Sequence, residues 1–494
     1  MSESLKIVFI ASECVPFVKT GGLADVVGAL PKALHELGHE VRIILPKYQD
    51  IDTEKYGLQR YQESMGVWMG EGIQQWCAVD EYYVEDGVSA YFIESWSYFG
   101  REGVYNDRNN RDFRDNPERF AFFTRAALQL CIDRQWQPDV IHAHDWQTAL
   151  APAYLKTWHQ DDPTLSATAS VFTIHNIQYQ GVFPKKHWSF TGLDWKLFHT
   201  DYFADYDNIN YLKGGIAFAD MVNTVSPTYA EETRSSELGM GLSAHLQHKG
   251  GAYRGILNGV DYEEWNPTTD PRLPNNYAAE DLSGKAKNKA KLQQAFGLEV
   301  NPDIPLVGVV SRFADQKGLD IYYEAIHQTV HQMRVQFVVL GSGDKALEGK
   351  YMALPGQYPG RVGTFIGYSE DKAHLVEAGS DFFVMASRFE PCGLNQLYSL
   401  KYGTLPIVRN TGGLADTVEQ YNEQTGEGTG FKYEDNTPQV IASVIGWAVS
   451  TYYDRPEHLA AMIQRAMAKD FSWKQSAKQY EQLYRAAMRR HRGF

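Results

Sequence analysis

Cysteine is scarce in this sequence, and the few cysteines present do not pair in any familiar spacing. Cys14, Cys77, Cys131 and Cys392 lie far apart, and no C-x-x-C pair occurs. A small secreted disulfide scaffold and a zinc ribbon both require closely spaced cysteines. The pattern therefore excludes those two classes and favours a reducing compartment.

Long apolar runs are also missing. No stretch reaches the roughly 18 apolar residues that a membrane-spanning helix needs. The chain passes from Met1-Ser2-Glu3-Ser4 directly into a strand-like run, without a basic segment followed by a long apolar core. We therefore expect neither a signal peptide nor a membrane partner, and we expect a cytoplasmic protein.

Positive charge is in deficit. The sequence has 47 Lys and Arg against 61 Asp and Glu, a formal net charge of −14. Such a balance argues against non-specific binding to nucleic acid, so an anionic ligand would need a locally basic site. At 494 residues the chain should form two or three domains. The 30 Tyr and 11 Trp fit either sugar-stacking surfaces or ordinary cores.

A glycine-containing stretch near the N-terminus predicts a phosphate site. Residues 19–25, Lys-Thr-Gly-Gly-Leu-Ala-Asp, follow the apolar run 5–11 and precede a helical pattern over 25–37. Two glycines let backbone approach a ligand closely, a helix N-terminus offers N–H groups, and Lys19 adds a mobile positive charge. The alternative is a tight strand-to-helix turn without a ligand.

The same motif returns in the second half of the chain. Residues 411–416, Thr-Gly-Gly-Leu-Ala-Asp, repeat six letters of the first copy and again follow a strand-like run, 404–408. Two related sites in two halves are implied. The repetition favours ligand binding over a simple turn.

Two more apolar strands of the first half end in polar side chains. Residues 140–146 contain His142, His144 and Asp145, and residues 171–176 end in His175 and Asn176. Ligands of open parallel α/β sheets bind at the carboxyl ends of strands. His142 and His144 would share one face of a strand, but no third ligand at a characteristic spacing supports a metal site. His175 fits either a functional role or an ordinary hydrogen-bonded histidine.

Strand and helix patterns resume after a segment rich in proline and polar residues. We place the domain boundary at the start of that segment, giving a first domain of residues 1–255 and a second of 256–472. In the second domain Arg312 and Lys317 follow the strand 306–311, where two cations can converge on a diphosphate; the alternative is that both are merely solvated.

Another short motif in the second half is weaker. Residues 341–346 match G-x-G-x-x-A, but they lie mid-chain and no acidic residue follows at about 20 residues to hold a ribose. We therefore expect no nicotinamide cofactor. Further on, Glu390 follows the strand 381–385 and precedes a helical pattern that ends at Tyr402, a placement suited to a sugar phosphate.

Taken together and in order, several motifs resemble the bacterial glycogen synthase and plant starch synthase family. They are Lys19 to Leu23, His142 to Trp146, His175-Asn176, Ser311-Arg312 with Gln316 to Gly318, Arg388 to Leu394 and Thr411 to Asp416. The resemblance covers nearly the whole chain. It implies an α/β protein of GT-B architecture, with two Rossmann-like domains facing each other across a deep cleft. The first domain would be the acceptor side, with the C-terminal helix, residues 473–494, packing back on it, and the second would be the nucleotide-sugar side.

The resemblance also implies an activity and a set of site residues. Such enzymes transfer glucose from ADP-glucose to the non-reducing end of an α-1,4-glucan, such as a maltooligosaccharide, with retention of configuration and without a metal or other cofactor. Carried over by motif, Glu390, His175 and Asp145 would be catalytic. The substrate-binding residues would be Lys19, Gly22, Arg312, Lys317, Tyr368, Cys392, Gly393, Leu394 and Thr411, with Tyr368 against adenine.

Three positions refine this expectation. Related glycosyltransferases often carry a second Glu eight residues after the first, whereas position 398 is Tyr, which fits the glycogen and starch synthases. Asn395 stands where bacterial members commonly have Thr, and Ala24 argues against a granule-bound synthase. The alternative function is a catalytically silent α-glucan-binding protein with the same fold, since fold does not fix function.

Overall fold

The computed structural model describes residues 3–85, 87–109 and 111–493. The chain divides into two compact units, residues 1–259 with 473–494, and residues 260–472. The division in the chain at 259/260 lies four residues beyond the predicted boundary. The assignment of an acceptor domain and a nucleotide-sugar domain stays a prediction.

The first unit is built on a sheet of nine strands, counted over the described residues. The strands of this unit are β1 (Lys6–Ile10), β2 (Glu40–Pro46), β3 (Gln59–Trp68), β4 (Gln74–Tyr82), β5 (Ser89–Glu94), β6 (Val140–His144), β7 (Ala169–Ile174), β8 (Val182–Pro184), β9 (Ala204–Asp205), β10 (Asn208–Asn210), β11 (Met221–Thr224) and β12 (Tyr253–Gly255). The sheet order is β12-β11-β7-β6-β1-β2-β5-β4-β3, and β8-β10-β9 form a small antiparallel sheet.

The central strands of this sheet are parallel, and helices cover it. All residues of β6 and β7 are buried, as expected for strands covered on both faces. Among the described pairs of this nine-stranded sheet, only those of β4 with β3 and β5 are antiparallel. The helices are α1 (Gly22–Glu36), α2 (Thr53–Tyr56), α3 (Trp96–Phe99), α4 (Asn116–Asp133), α5 (Asp145–Thr148), α6 (Ala151–Lys156), α7 (Trp188–Thr191), α8 (Tyr211–Phe218), α9 (Pro227–Thr233) and α10 (Ser243–Lys249).

The second unit is a six-stranded parallel sheet within the described range. Its strands are β13 (Leu306–Phe313), β14 (Gln336–Gly343), β15 (Val362–Ile366), β16 (Phe382–Met385), β17 (Leu405–Arg409) and β18 (Phe431–Tyr433). Its helices are α11 (Ser283–Ala295), α12 (Leu319–Gln332), α13 (Lys345–Gln357), α14 (Glu370–Gly379), α15 (Asn395–Lys401), α16 (Gly412–Thr417), α17 (Pro438–Asp454) and α18 (Pro456–Met467). The strand order is β15-β14-β13-β16-β17-β18.

Alternate residues of these strands enter two different cores. Val307 and Phe337 belong to one buried cluster, whereas their neighbours Leu306 and Val338 belong to another. Because successive side chains of a strand point to opposite faces, the sheet is covered on both sides. The unit is therefore a doubly wound α/β fold, as the strand and helix patterns predict.

The last helix, α19 (Trp473–His491), belongs to the first unit and packs against α1 and β7. One stripe of its side chains is buried and consists of Trp473, Ala477, Tyr480, Leu483, Tyr484 and Ala487. Ser476 Oγ donates a hydrogen bond to the Leu257 carbonyl at 2.7 Å, which fixes the helix start against the end of the first unit's main segment. None of the described helices is long and apolar enough to cross a membrane.

Candidate active site

Four of the predicted site residues lie at or just after the carboxyl ends of strands in the second unit. Tyr368 follows β15, Arg312 lies at the end of β13, Glu390 follows β16 and Thr411 follows β17. The strands are parallel, so their carboxyl ends meet at one edge of the sheet. This edge is where open α/β sheets bind ligands.

Glu390 is held by an ion pair and a hydroxyl. The Lys317 Nζ lies 2.7 Å from Glu390 Oε2, and Ser387 Oγ donates to the same oxygen at 2.7 Å. The exposed fractions of the side chains are 19% for Lys317 and 6% for Glu390. The carboxylate therefore has a fixed position. Lys317, which is predicted to bind the diphosphate, also pairs with the predicted catalytic residue Glu390.

The loops that carry this pair are hydrogen-bonded to each other. The Arg388 backbone N–H donates to the Gln316 carbonyl at 2.8 Å, and Gln316 Nε2 donates to the Phe389 carbonyl at 3.2 Å. The Arg388 guanidinium binds both carboxylate oxygens of Asp320, at 2.9 and 2.7 Å. Such a two-point contact fixes direction as well as distance. The positions of Gln316 and Asp320 in the site were not predicted.

Arg312 and Tyr368 are exposed at the same sheet edge. Arg312 is exposed near the end of β13, and 78% of Tyr368 is accessible. Gly367, before Tyr368, has a φ of +142°, a conformation that favours glycine and turns the chain at the end of β15. An accessible aromatic ring of this kind suits stacking against a planar base.

Residues 392–394 form the turn into α15. Cys392 is buried, and Gly393 has a φ of +74°. The Gln396 side-chain amide donates to the Cys392 and Gly393 carbonyls at 2.9 and 3.0 Å. Leu394, half-buried, immediately precedes the helix. The left-handed conformation of Gly393 and the two hydrogen bonds from Gln396 fix the backbone that follows Glu390.

The second Thr-Gly-Gly copy is filled by protein backbone. A Cβ added at Gly412 would lie 1.8 Å from the Glu390 carbonyl oxygen, and one at Gly413 would lie 2.0 Å from that of Cys392. Gly413 also donates its N–H to the Glu390 carbonyl at 3.1 Å, and Thr411 is buried. These glycines hold the loop that carries Glu390. Glycine is therefore needed in this copy for close backbone packing, and ligand binding at Thr411 stays a prediction.

The first copy is open. A Cβ added at Gly21 or Gly22 would meet nothing within 4 Å. Lys19, with 52% of its side chain exposed, lies 2.7 Å from Asp25 Oδ1. The space beside the glycines and the accessible ammonium agree with the predicted phosphate site.

A buried carboxylate that sequence reasoning missed shapes this open loop. Glu13 accepts hydrogen bonds from the Thr20 N–H, from Thr20 Oγ1 at 2.6 Å, from the Gly21 N–H at 3.1 Å and from the Tyr105 hydroxyl. Only 3% of Glu13 is exposed. The backbone N–H groups of Thr20 and Gly21 are thus already hydrogen-bonded within the protein. The available signal was an acidic residue three positions after a buried strand and before the glycines.

Asp145 and His175 meet at the carboxyl ends of β6 and β7. The His175 N–H donates to Asp145 Oδ1 at 2.7 Å, and Asp145 has a left-handed φ of +55°. Burial raises the pKa of Asp145 from its ordinary 3.8 to about 7, although the His175 N–H works in the opposite direction. A strained backbone and a perturbed carboxyl are common at functional sites.

The three predicted histidines lie in a row, in which His142 and His144 are buried and His175 is half-buried. His144 Nδ1 lies 3.0 Å from His175 Nε2. The two nitrogens of His142 contact the Tyr484 hydroxyl at 3.0 Å and Thr173 Oγ1 at 2.6 Å. Burial lowers the pKa of His175 to about 3 and those of His142 and His144 well below the usual range. All three are neutral at pH 7, and His142 has no nitrogen left for a metal.

Comparison with known proteins identifies the family. A family model described as the starch synthase catalytic domain matches residues 6–248, and one described as glycosyl transferases group 1 matches residues 291–469. Glycogen synthase 1 of Geobacter sulfurreducens is 47% identical over 491 residues, 99% of this chain and 97% of that protein. Glycogen synthase of Treponema denticola is 45% identical, covering 98% of this chain and 99% of that protein.

A solved structure agrees. The catalytic domain of Starch Synthase IV from Arabidopsis thaliana, bound to ADP and acarbose, has a TM-score of 0.90 and 35% identity, covering 98% of this chain and 100% of that one. The match confirms the predicted GT-B fold class. The chain therefore belongs to the glycogen and starch synthase family of glycosyltransferases.

Proposed function

We propose that this protein transfers glucose from ADP-glucose to the non-reducing end of an α-1,4-glucan, with retention of configuration and without a metal ion. Family membership supports the reaction class, a nucleotide-sugar donor and a glucan acceptor. The observation that carries the residue assignment is the Lys317–Glu390 pair at the ligand-binding edge of the second unit. It joins a cation suited to phosphate with a carboxylate suited to sugar hydroxyl groups.

The charges at this edge fit the bond that breaks. Cleavage of the sugar–phosphate bond builds negative charge on the leaving diphosphate and positive charge on the anomeric carbon. Fixed cations lower that barrier because they need no reorganisation as the charge develops. We assign this role to Lys317 and Arg312, and the Glu390 carboxylate to the sugar. In this scheme two side-chain cations do the work that a metal does in other transferases.

The first unit supplies a second set of groups. We assign Lys19 and Gly22 to phosphate binding, since even a Cβ added at Gly22 would meet no atom within 4 Å, which leaves space for a ligand. A neutral His175 can exchange hydrogen bonds with a sugar hydroxyl without carrying charge, because burial keeps its pKa near 3. Asp145, with a pKa of about 7, can accept from a hydroxyl or donate to one.

The test is glucose transfer to a maltooligosaccharide, with ADP-glucose and UDP-glucose compared side by side in the presence of chelator. We expect elongation with ADP-glucose that chelator does not reduce. Glu390→Ala should abolish transfer while ADP binding remains measurable, and Glu457→Gln, an exposed carboxylate in α18, should behave as the unchanged protein.

Two results would overturn the proposal. Folded protein that binds ADP and glucan but leaves both donors intact would be the catalytically silent glucan-binding protein. Near-normal turnover by Glu390→Ala would remove that residue from the chemistry.

Tyr368→Ala separates donor recognition from catalysis, because loss of a base contact should raise the KM for ADP-glucose and change kcat little.

A further inference from the structure

Three side chains of the second unit that are not among the predicted site residues converge. Glu264, Glu370 and His374 each place one potential ligand atom within 4.8 Å of the other two. Glu370 and His374 lie four residues apart in α14, so they share one face of that helix. Glu264 is exposed, Glu370 is half-buried and His374 is buried.

The His374 ring is oriented by a buried carboxylate. Its Nδ1 lies 2.7 Å from Asp270 Oδ2, and both side chains have 0% exposure. The Tyr402 hydroxyl donates to the same oxygen at 2.7 Å. Because an ionised carboxylate only accepts, Nδ1 carries a proton, and in the neutral ring Nε2 then presents a lone pair.

His374 Nε2 has no hydrogen-bond partner among the described residues, although it is buried. Leaving a buried polar atom unsatisfied is energetically unfavourable. The Trp265 ring stacks on the imidazole, with centroids 3.8 Å apart and an interplanar angle of 15°. The ring is therefore held in one orientation, and Nε2 lacks a donor within the described part of the chain.

This is the arrangement that metal-binding histidines adopt, with one nitrogen hydrogen-bonded to a carboxylate and the other free to coordinate. We propose that His374, Glu370 and Glu264 bind a divalent cation of the zinc type. Imidazole with carboxylates suits Zn²⁺, whereas Mg²⁺ prefers an octahedron of oxygens. Three protein ligands leave a fourth tetrahedral position for water.

A neighbouring arginine holds part of the acidic charge. Arg272 lies 3.2 Å from Glu370 Oε2 and 3.7 Å from Asp371 Oδ1. The cluster thus holds two carboxylates beside one guanidinium. Glu370 has two oxygens, so it can keep one on Arg272 and give the other to a cation.

Occupancy would tie together three segments of the second unit. Trp265 follows Glu264 in the chain and also stacks on Tyr398 of α15, with centroids 3.8 Å apart and an angle of 2°. A cation would fasten the Glu264–Trp265 segment to α14 and brace it against α15. The expected effect is greater stability of this region, independent of the proposed function.

The experiment uses full-length protein without an affinity tag, stripped with chelator and dialysed. Zn²⁺ alone should bind in calorimetry and raise the unfolding midpoint, and Mg²⁺ should do neither. Glu370→Gln and Glu264→Gln should each weaken zinc binding at least about tenfold, and Asp270→Asn by about 10–100-fold. Asp371→Asn is the matched control, because it adjoins Glu370 in α14 and also faces Arg272.

Asp270→Asn alters a buried group. If this variant does not fold, the test rests on Glu264→Gln and Glu370→Gln, because Glu264 is exposed and Glu370 is half-buried. No zinc binding by the unchanged protein would overturn the proposal. Equal affinity of Glu264→Gln, Glu370→Gln and Asp371→Asn would also overturn it. So would anomalous diffraction from zinc-soaked crystals that places zinc elsewhere, with only water at His374 Nε2.

Discussion

Lys317 and Glu390 form an ion pair with 2.7 Å between Nζ and Oε2, although each residue follows a different strand of the second unit. Lys317 follows β13 and Glu390 follows β16, and these two strands are neighbours in the sheet. The pair is mostly shielded from solvent, so its charges interact more strongly than a surface pair would. A group expected to bind the donor and a group expected to act on the sugar are thereby fixed relative to each other.

Breaking this pair from one side should destabilise the second unit. Lys317→Met leaves the Glu390 carboxylate buried with only the Ser387 hydroxyl, which should cost about 3 kcal/mol. Adding Glu390→Gln should restore part of the loss, because the unpaired charge is gone. The measurement is a double-mutant cycle from urea unfolding. Purely additive effects would show that the pair is not coupled.

A surface ion pair gives the control. Arg334 lies 3.3 Å from Glu299 in the same unit, with 60% and 51% of the side chains exposed. Arg334→Met should change the free energy of unfolding by about 0.5 kcal/mol or less.

The two glycine copies should respond oppositely to alanine. At Gly22 an added methyl meets nothing within 4 Å, so Gly22→Ala should fold normally and raise the KM for ADP-glucose. At Gly413 the methyl would lie 2.0 Å from the Cys392 carbonyl oxygen, and overpacking there should cost about 1–3 kcal/mol. Thermal unfolding and donor KM separate the two cases. Equal destabilisation by both would contradict this reading of the copies.

Removing the charge of Glu13 should weaken donor binding. In Glu13→Gln one amide nitrogen faces donors that the carboxylate accepted from, so the loop at Thr20 and Gly21 must shift. We expect at least about a tenfold rise in the KM for ADP-glucose, since tenfold is about 1.4 kcal/mol, less than one charged hydrogen bond contributes. Tyr105→Phe removes only one of the donors and should have a smaller effect. An unchanged KM in folded Glu13→Gln would contradict the prediction.

Asp145 should make stability depend on pH. Its folded pKa, about 7, exceeds its ordinary value of 3.8, so the folded state binds the proton more tightly between these pH values. The contribution of Asp145 to the free energy of unfolding therefore falls as pH rises from about 4 to 7. Asp145→Asn does not titrate and tolerates the left-handed backbone. Relative to the unchanged protein it should gain stability between pH 4.5 and 7.5, as measured by urea unfolding. A difference that is the same at both pH values would count against the pKa.

Much of the second unit could be predicted from the sequence. The predicted strands at 306–311, 381–385 and 404–408 correspond to β13, β16 and β17, because a strand buried on both faces has a mostly apolar sequence. The family resemblance, drawn from local motifs in order, is confirmed by the comparisons. A motif is a local pattern of residues, so it can be recognised in the sequence without knowledge of the fold.

Contacts between distant residues could not be predicted in this way. Glu13 meets Tyr105, and His374 meets Asp270, across 92 and 104 residues of chain. Nothing in the spacing of such residues distinguishes a buried partner from a solvated one. The second Thr-Gly-Gly copy shows the same limit. Its sequence matches that of the first copy, but the space beside its glycines is occupied by the backbone of residues 390–392.

The sequence by itself determined the α/β class, the order of the motifs and the family, since each rests on local pattern. Only the tertiary structure decided that Lys317 is bound to Glu390, that the histidine row is neutral and that one glycine copy is open while the other is filled. The physical reason is that charge state, ion pairing and free space depend on burial and on neighbours. Those are set when the strands and helices pack together.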